Sequence, residues 1–257
     1  MKFKQLHQLF SNATHWEYSN AELGINFVFL TSDYMTISDN IKSLHQHLPK
    51  GVKLVAVSKT QSVESILHAY NAGQRIFGEN KVQELSEKQT QLPADISWHM
   101  LGHLQTNKVK YIAPFVSLIH SVDSLKLLKE IDKEAAKNKR VIDCLLEFYI
   151  AREESKFGLS IEEALDILNS DDYKNMNHIR ICGVMGIASF VDDTAIVRDE
   201  FKTLARIFSK LKSEFFSDKN YFSEISMGMS SDYQIAIEEG ATMIRVGTAI
   251  FGERNYL

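Results

Sequence analysis

One pattern restricts this chain more than any other. From Asn40 onward, short apolar runs that read as strands alternate with stretches of helical period. The strand-like runs are 53–59, 75–80, 97–102, 117–122, 141–150, 179–188, 224–229 and 243–248. Between them, Val63, Ile66, Leu67 and Tyr70 recur at helical spacing, with Gly73 placed to end that helix. Ser124 stands ahead of Leu127, Leu128, Ile131 and Ala135 as a cap. Ser160 and Glu163 form a capping box, and Ser231 with Gln234 opens a further helix before Ile235. Phe201, Leu204, Ala205, Phe208 and Leu211 mark the longest helix. Some eight strand-and-helix units in sequence predict an α/β fold, a single (β/α)8 TIM barrel. A doubly wound open sheet shares the alternation. One detail favours closure: a helix at about 38–48 precedes the first strand, while too few residues follow the last strand for a closing helix. The spare helix is predicted to cover the seam between last and first strands.

The first 34 residues show no clear period, and Met35-Thr36-Ile37-Ser38 looks like a fresh helix start. Residues 1–34 therefore read as an extension outside the fold, and 35–257 as one barrel domain. Only three prolines and no internal repeat argue against a further division. A net charge of −4 with dispersed lysines excludes the electrostatic footprint of a nucleic-acid binder. No stretch is long and apolar enough to span a membrane, and Ile25 to Leu30 is too short to anchor one. Cys144 and Cys182 lie inside apolar runs and read as buried small hydrophobes in a reducing, cytoplasmic setting. No interface stripe is evident, so a monomer is expected. His45 and His47 are two apart on a helix and do not face one site, so no metal is expected.

The chemistry centres on Lys59, at the end of Leu54-Val55-Ala56-Val57-Ser58-Lys59-Thr60. Taken alone, such a lysine is an ordinary surface side chain. In a barrel, however, it stands at the C-terminal strand edge, where functional groups gather. Ser226-Met227-Gly228-Met229-Ser230-Ser231 and Arg245-Val246-Gly247-Thr248 end the seventh and eighth strands, where barrels often bind phosphate. Glycines there let backbone amides approach an anion, and hydroxyls add donors; the same residues also serve as turns and caps. The first and eighth strands are neighbours in a closed barrel, so Lys59 would share a mouth with this cradle. An uncharged amine beside a phosphate site suggests a Schiff base to a phosphorylated aldehyde: a sugar phosphate, as in a class I aldolase, or pyridoxal 5′-phosphate. An arginine such as Arg245 facing a pyridine nitrogen would disfavour a proton there and weaken catalysis. The alternative for Arg245 is an ion pair with Glu224 or Asp232. Asn80 and His99 stand at or near the ends of strands two and three, either lining the mouth or serving as hydrogen-bonded structural residues.

The motifs Ala56-Val57-Ser58-Lys59-Thr60, Phe77-Gly78-Glu79-Asn80, Trp98-His99-Met100-Leu101-Gly102, Ser155-Lys156-Phe157-Gly158, Ser226-Met227-Gly228-Met229-Ser230 and Arg245-Val246-Gly247-Thr248 together resemble the pyridoxal phosphate homeostasis protein family, from about Met35 to the C-terminus. His103, where many members carry proline, and Ser231, where an acidic residue is common, depart from the pattern. The resemblance implies a fold-type III barrel similar to the N-terminal domain of alanine racemase. It implies pyridoxal phosphate covalently held on Lys59, with Arg245 facing the pyridine nitrogen. It places Ser226, Met227, Gly247 and Thr248 around the phosphate, and Asn80 and His99 near the ring. It further implies a carrier or buffer of the cofactor, with apo-enzymes as recipients and no robust catalysis. A weakly active amino-acid racemase or lyase is the alternative.

Overall fold

The computed structural model describes residues 35–151 and 158–253. The extension read for residues 1–34, and the Ser155-Lys156-Phe157 part of the fifth loop, lie outside the described residues.

Each of the eight strand-like runs forms a strand: β1 Lys53–Val57, β2 Ile76–Glu79, β3 Ser97–Met100, β4 Leu118–Val122, β5 Ile142–Phe148, β6 Ile179–Gly186, β7 Glu224–Ser226 and β8 Met243–Val246. The expected runs extend beyond the ladder at their C-terminal ends. Those extra residues, among them Lys59, Asn80, Leu101 and Gly247, line the mouth. Every neighbouring pair is parallel and the sheet closes on itself. Val55 opposite Arg245 and Ala56 opposite Val246 seal β1 to β8, so the open-sheet alternative does not hold.

The helices are α1 Ile37–His47, α2 Val63–Asn71, α3 Val82–Gln89, α4 Val109–Ile112, α5 Leu125–Lys137, α6 Ile161–Asn169, α7 Asp171–Lys174, α8 Thr194–Phe215, α9 Tyr233–Glu238 and α10 Thr248–Phe251. α1 takes the role expected of the spare helix. Its Ile41 is fully buried, and Asn40 Nδ2 donates to the Ile250 carbonyl of α10 at 3.0 Å. It therefore sits where the eighth unit meets the first. Ser124 caps α5, and the Ser160–Glu163 box closes α6 in both directions. The Ser231 expectation is corrected: α9 begins one residue later behind Asp232, whose carboxylate instead accepts the Met229 N–H.

Alternation along the strands divides the core. Leu54, Ala56, Phe77, Trp98, Ile119, Leu146 and Ile244 face outward onto the helices, in the larger apolar layer. Val55, Leu118, Leu145, Cys182, Met185 and Met243 fill the barrel's interior. Each such side chain removed from water contributes about 1.5–3 kcal/mol, so the interior is a packed plug and not a channel. The N-terminal end is closed by ion pairs, Lys53–Glu224 at 2.5 Å and Arg180–Asp143 at 2.7 Å. Both cysteines are free and buried, one in each layer. None of the described helices is long and apolar enough to cross a membrane.

Candidate functional site

At the opposite, C-terminal end the barrel opens into a cavity of about 780 Å³. Lys59 enters it from the loop after β1, half-buried. Asn80 enters just past β2, Leu101 past β3, Met185 and Ile187 from β6 and its exit, and Arg245 from β8. Ser230, Ser231, Gly247 and Thr248 complete the wall on the β7–β8 side. The mouth thus has an apolar flank and a polar flank, with an amine and a guanidinium between them.

Arg245 is 5% exposed. Its Nη1 donates to Ser226 Oγ at 2.7 Å and its Nη2 to the Gly186 carbonyl at 3.0 Å. Burial lowers its pKa to about 10, against the opposing pull of Asp232 and Glu147, so the guanidinium stays charged at neutral pH. The expected ion-pair alternatives are not what holds it. Glu224 is engaged with Lys53 at the far end of the barrel, and Asp232 with a backbone amide.

Below Arg245 runs a buried polar line that crosses the barrel. Ser226 Oγ lies 3.0 Å from His120 Nδ1, His120 Nε2 lies 3.0 Å from His99 Nδ1, and His99 Nε2 lies 3.4 Å from Ser97 Oγ. Ser226 already accepts from Arg245, so its own proton finds an acceptor only at His120 Nδ1. His120 Nε2–H then donates to His99, and His99 Nε2–H to Ser97. Neutral imidazoles satisfy this order. Burial supplies the same answer: it lowers His99 to about 3, helped by Lys53, and depresses His120, helped by His99 and Arg245.

On the polar flank, Gly228 takes φ +89°, and a Cβ there would meet the Ala236 Cβ at 2.6 Å. A side chain is excluded both by the backbone angle and by space, and the turn delivers Ser230 to the start of α10. Ser230 Oγ accepts from the amides of Gly247 at 3.2 Å and Ala249 at 3.4 Å. Three hydroxyl residues, Ser230, Ser231 and Thr248, therefore line the same corner, with the two amides behind Ser230. This is a donor set suited to an anion with several oxygens.

The expected residues thus separate. Lys59, Asn80, Arg245, Gly247 and Thr248 come together around one cavity. His99 and Ser226 sit beneath it in the polar line. Met227 turns its side chain to the outer core, and its N–H is spent on the Met243 carbonyl. Ser230, from the same loop, is the residue whose hydroxyl meets the Gly247 and Ala249 amides. Two functional candidates were missed. His120 was legible as a polar residue two positions after inward-facing Leu118. Glu147, two after inward-facing Leu145, is pushed up to about 7 by burial first and by Asp123 second, with Arg245 opposing. A separate outer cavity of about 650 Å³ beside α6 and α8 has a lysine too, but Lys210 there is paired with Glu214 at 3.3 Å.

Comparison with known proteins agrees with this fold. The family model of the alanine racemase N-terminal domain matches residues 32–255. A pyridoxal phosphate homeostasis protein of Aquifex aeolicus is 40% identical over 206 residues, covering 79% of this chain and 88% of the relative. One of Pasteurella multocida is 35% identical over 237 residues, covering 86% and 99%. Among solved structures, PipY of Synechococcus elongatus with pyridoxal phosphate bound aligns with a TM-score of 0.75 at 36% identity, covering 84% of this chain and all of that one. An alanine racemase of Bartonella henselae, 15% identical, aligns with a TM-score of 0.64 over 58% of its own length, which shows a shared fold.

Proposed function

This chain belongs to the alanine racemase N-terminal domain family and, within it, to the pyridoxal phosphate homeostasis proteins; on that footing we propose that it binds pyridoxal 5′-phosphate at the barrel mouth and acts in the cytoplasm as a carrier or buffer of the cofactor. The observation that carries the reading is the convergence of an amine, a buried guanidinium and an anion cradle on one cavity. The residues suit the group: an aldehyde needs the amine, a pyridine ring needs the slot beside Arg245, and a phosphate needs the hydroxyls.

Lys59 would hold the cofactor covalently. Ser230, Ser231 and Thr248 would hold its phosphate, with the Gly247 and Ala249 amides orienting the Ser230 hydroxyl, and Asn80 would border the ring. When bound, the group supplies a reactive aldehyde and a ring that can draw electrons. Arg245 limits the second property. Held by Ser226 and Gly186 and still charged, it would face the pyridine nitrogen as a hydrogen-bond donor that does not give up its proton. Ser226 acts from below by holding Arg245, and His99 supports it through His120. A ring so restrained is held well and activated poorly, which suits a monomeric donor of cofactor to apo-enzymes better than a catalyst.

The test is the visible spectrum of protein loaded with pyridoxal phosphate, followed by borohydride reduction and peptide mapping. A long-wavelength band and a pyridoxyl adduct on the peptide containing residue 59, both lost in Lys59→Ala, are expected. An adduct elsewhere, or none, refutes the reading. One observation favours a second reading, that of a weak racemase or lyase: Glu147 is a carboxyl poised near neutrality inside the barrel. Deuterium exchange at Cα of amino acids at enzyme-like turnover, abolished in Glu147→Gln, would establish it.

A further inference from the structure

The two peptide groups on either side of the Lys59 Cα are gripped from behind by one ion pair. Lys88 Nζ, on α3, donates to the Ser58 carbonyl at 2.7 Å, which belongs to the peptide entering Lys59. Glu84 Oε1, one turn earlier on α3, accepts from the Thr60 N–H at 2.6 Å, which belongs to the peptide leaving it. Lys88 and Glu84 are themselves joined at 2.6 Å. Lys88 also reaches Glu79 Oε1 at 2.9 Å, and Ser58 Oγ donates to that same oxygen at 2.6 Å. Lys88 is 6% exposed and Glu79 fully buried. The other Glu79 oxygen is buried with no hydrogen-bond partner.

This arrangement is costly for a structural filler. A lysine and a carboxylate are taken from water, and one oxygen is left unsatisfied. It also enforces an uncommon backbone. Thr60, a β-branched residue, has φ +66°, in the left-handed region. Such a conformation persists only where its surroundings over-determine it. Fixing the carbonyl on one side and the N–H on the other leaves the Lys59 Cα little freedom in φ or ψ. The side chain must then leave toward the cavity, away from α3.

We propose that Glu84 and Lys88, anchored by Glu79, are positioning residues: they aim the Lys59 amine at the cofactor aldehyde and thereby set the rate and strength of covalent attachment. The inference rests on the reading of Lys59 as the attachment point. The covalent step itself is the condensation of a neutral amine with an aldehyde, forming a carbon–nitrogen double bond and releasing one water, with no change of oxidation state.

The test uses the full chain and two ligands, pyridoxal 5′-phosphate and pyridoxine 5′-phosphate, which has an alcohol in place of the aldehyde and reports the non-covalent site alone. Glu84→Ala is the main variant, because Glu84 is the most exposed of the three charges. The expected result is at least a tenfold slower appearance of the borohydride-trapped adduct on the residue-59 peptide and weaker pyridoxal phosphate binding. Pyridoxine phosphate affinity should stay within twofold. Glu84→Gln, whose amide oxygen still accepts from Thr60, should recover most of the attachment rate. Equal losses for both ligands in Glu84→Ala, or no loss for either, would overturn the proposal. The underlying reading fails separately: wild-type protein would then show no adduct at residue 59. If Glu84→Ala does not fold, the same comparison is made between Glu84→Gln and Lys88→Met, and the attachment rate must drop in the second alone.

Discussion

Acidification should unfold this barrel through its buried imidazoles, and His99 allows the effect to be isolated. His99 is 4% exposed, and burial, aided by the charge of Lys53, lowers its pKa to about 3. In the unfolded chain an imidazole titrates near 6.5. The folded value of this base is depressed, so its contribution is fully present above about 6.5 and is lost as pH falls toward 3. Between pH 6.5 and 4.5 the unfolded chain takes up a proton that folded His99 refuses. Those roughly two units, at about 1.36 kcal/mol each, amount to about 3 kcal/mol, a large part of a typical domain's stability. His99→Asn removes the titration while its amide oxygen can still accept from His120 Nε2. His120 is depressed in the same direction mainly by burial and remains in both proteins, so its effect cancels to first order. Urea unfolding of the apo protein at pH 7 and pH 4.5, followed by circular dichroism, measures the difference. The variant should start less stable but lose about 3 kcal/mol less on acidification. If both proteins lose the same stability over that interval, the argument that His99 is held neutral by burial is wrong.

Glu147 works in the opposite sense. Its folded value is raised to about 7, so its contribution is present below about 4.5 and lost as pH rises through 7. Glu147→Gln should gain on wild type by about 3 kcal/mol between those limits, and identical pH profiles would refute the assignment. Gly183→Ala would put a Cβ 1.8 Å from the Glu224 carbonyl oxygen, across the β6–β7 ladder. Backbone cannot yield as a side-chain tip does, so the loss should exceed about 4 kcal/mol, with little folded protein recovered; a melting temperature within a few degrees of wild type would contradict this. Ser160→Ala removes the hydroxyl that accepts from the Glu163 N–H, while the residue-160 N–H can still donate to the Glu163 carboxylate; it should cost about 1 kcal/mol, or about 2–4 °C in a thermal melt. An unchanged melt would show that this end of α6 contributes nothing.

Local and periodic features were readable without coordinates. The alternation that marks eight strands, the caps at Ser124 and Ser160, and the spare first helix all depend on residues close in sequence. Spacing and capping chemistry therefore report them directly. Lys59, Asn80, Arg245, Gly247 and Thr248 were also legible, because each stands at or near the C-terminal end of a strand, and in a closed parallel barrel those ends converge. What sequence could not rank was depth. His99 and Ser226 stand in motifs much like those of the residues that line the mouth, yet they lie a layer lower and bond to His120 and Arg245. Met227, one residue from Ser226, points outward because strand side chains alternate.

Which polar groups met was decided only by closure. His120 and Ser226 are 106 residues apart, Arg245 and Gly186 are 59 apart, and no local pattern announces either contact. The same holds for the grip on Lys59: Ser58 and Thr60 are bound by Lys88 and Glu84 from the next helix but one. Sequence by itself determined the barrel and the residues at its rim, since periodicity and strand ends are properties of short windows. Tertiary structure alone decided how those residues are oriented, charged and held. Desolvation, hydrogen-bond direction and backbone strain depend on neighbours that the chain brings together only when β8 meets β1.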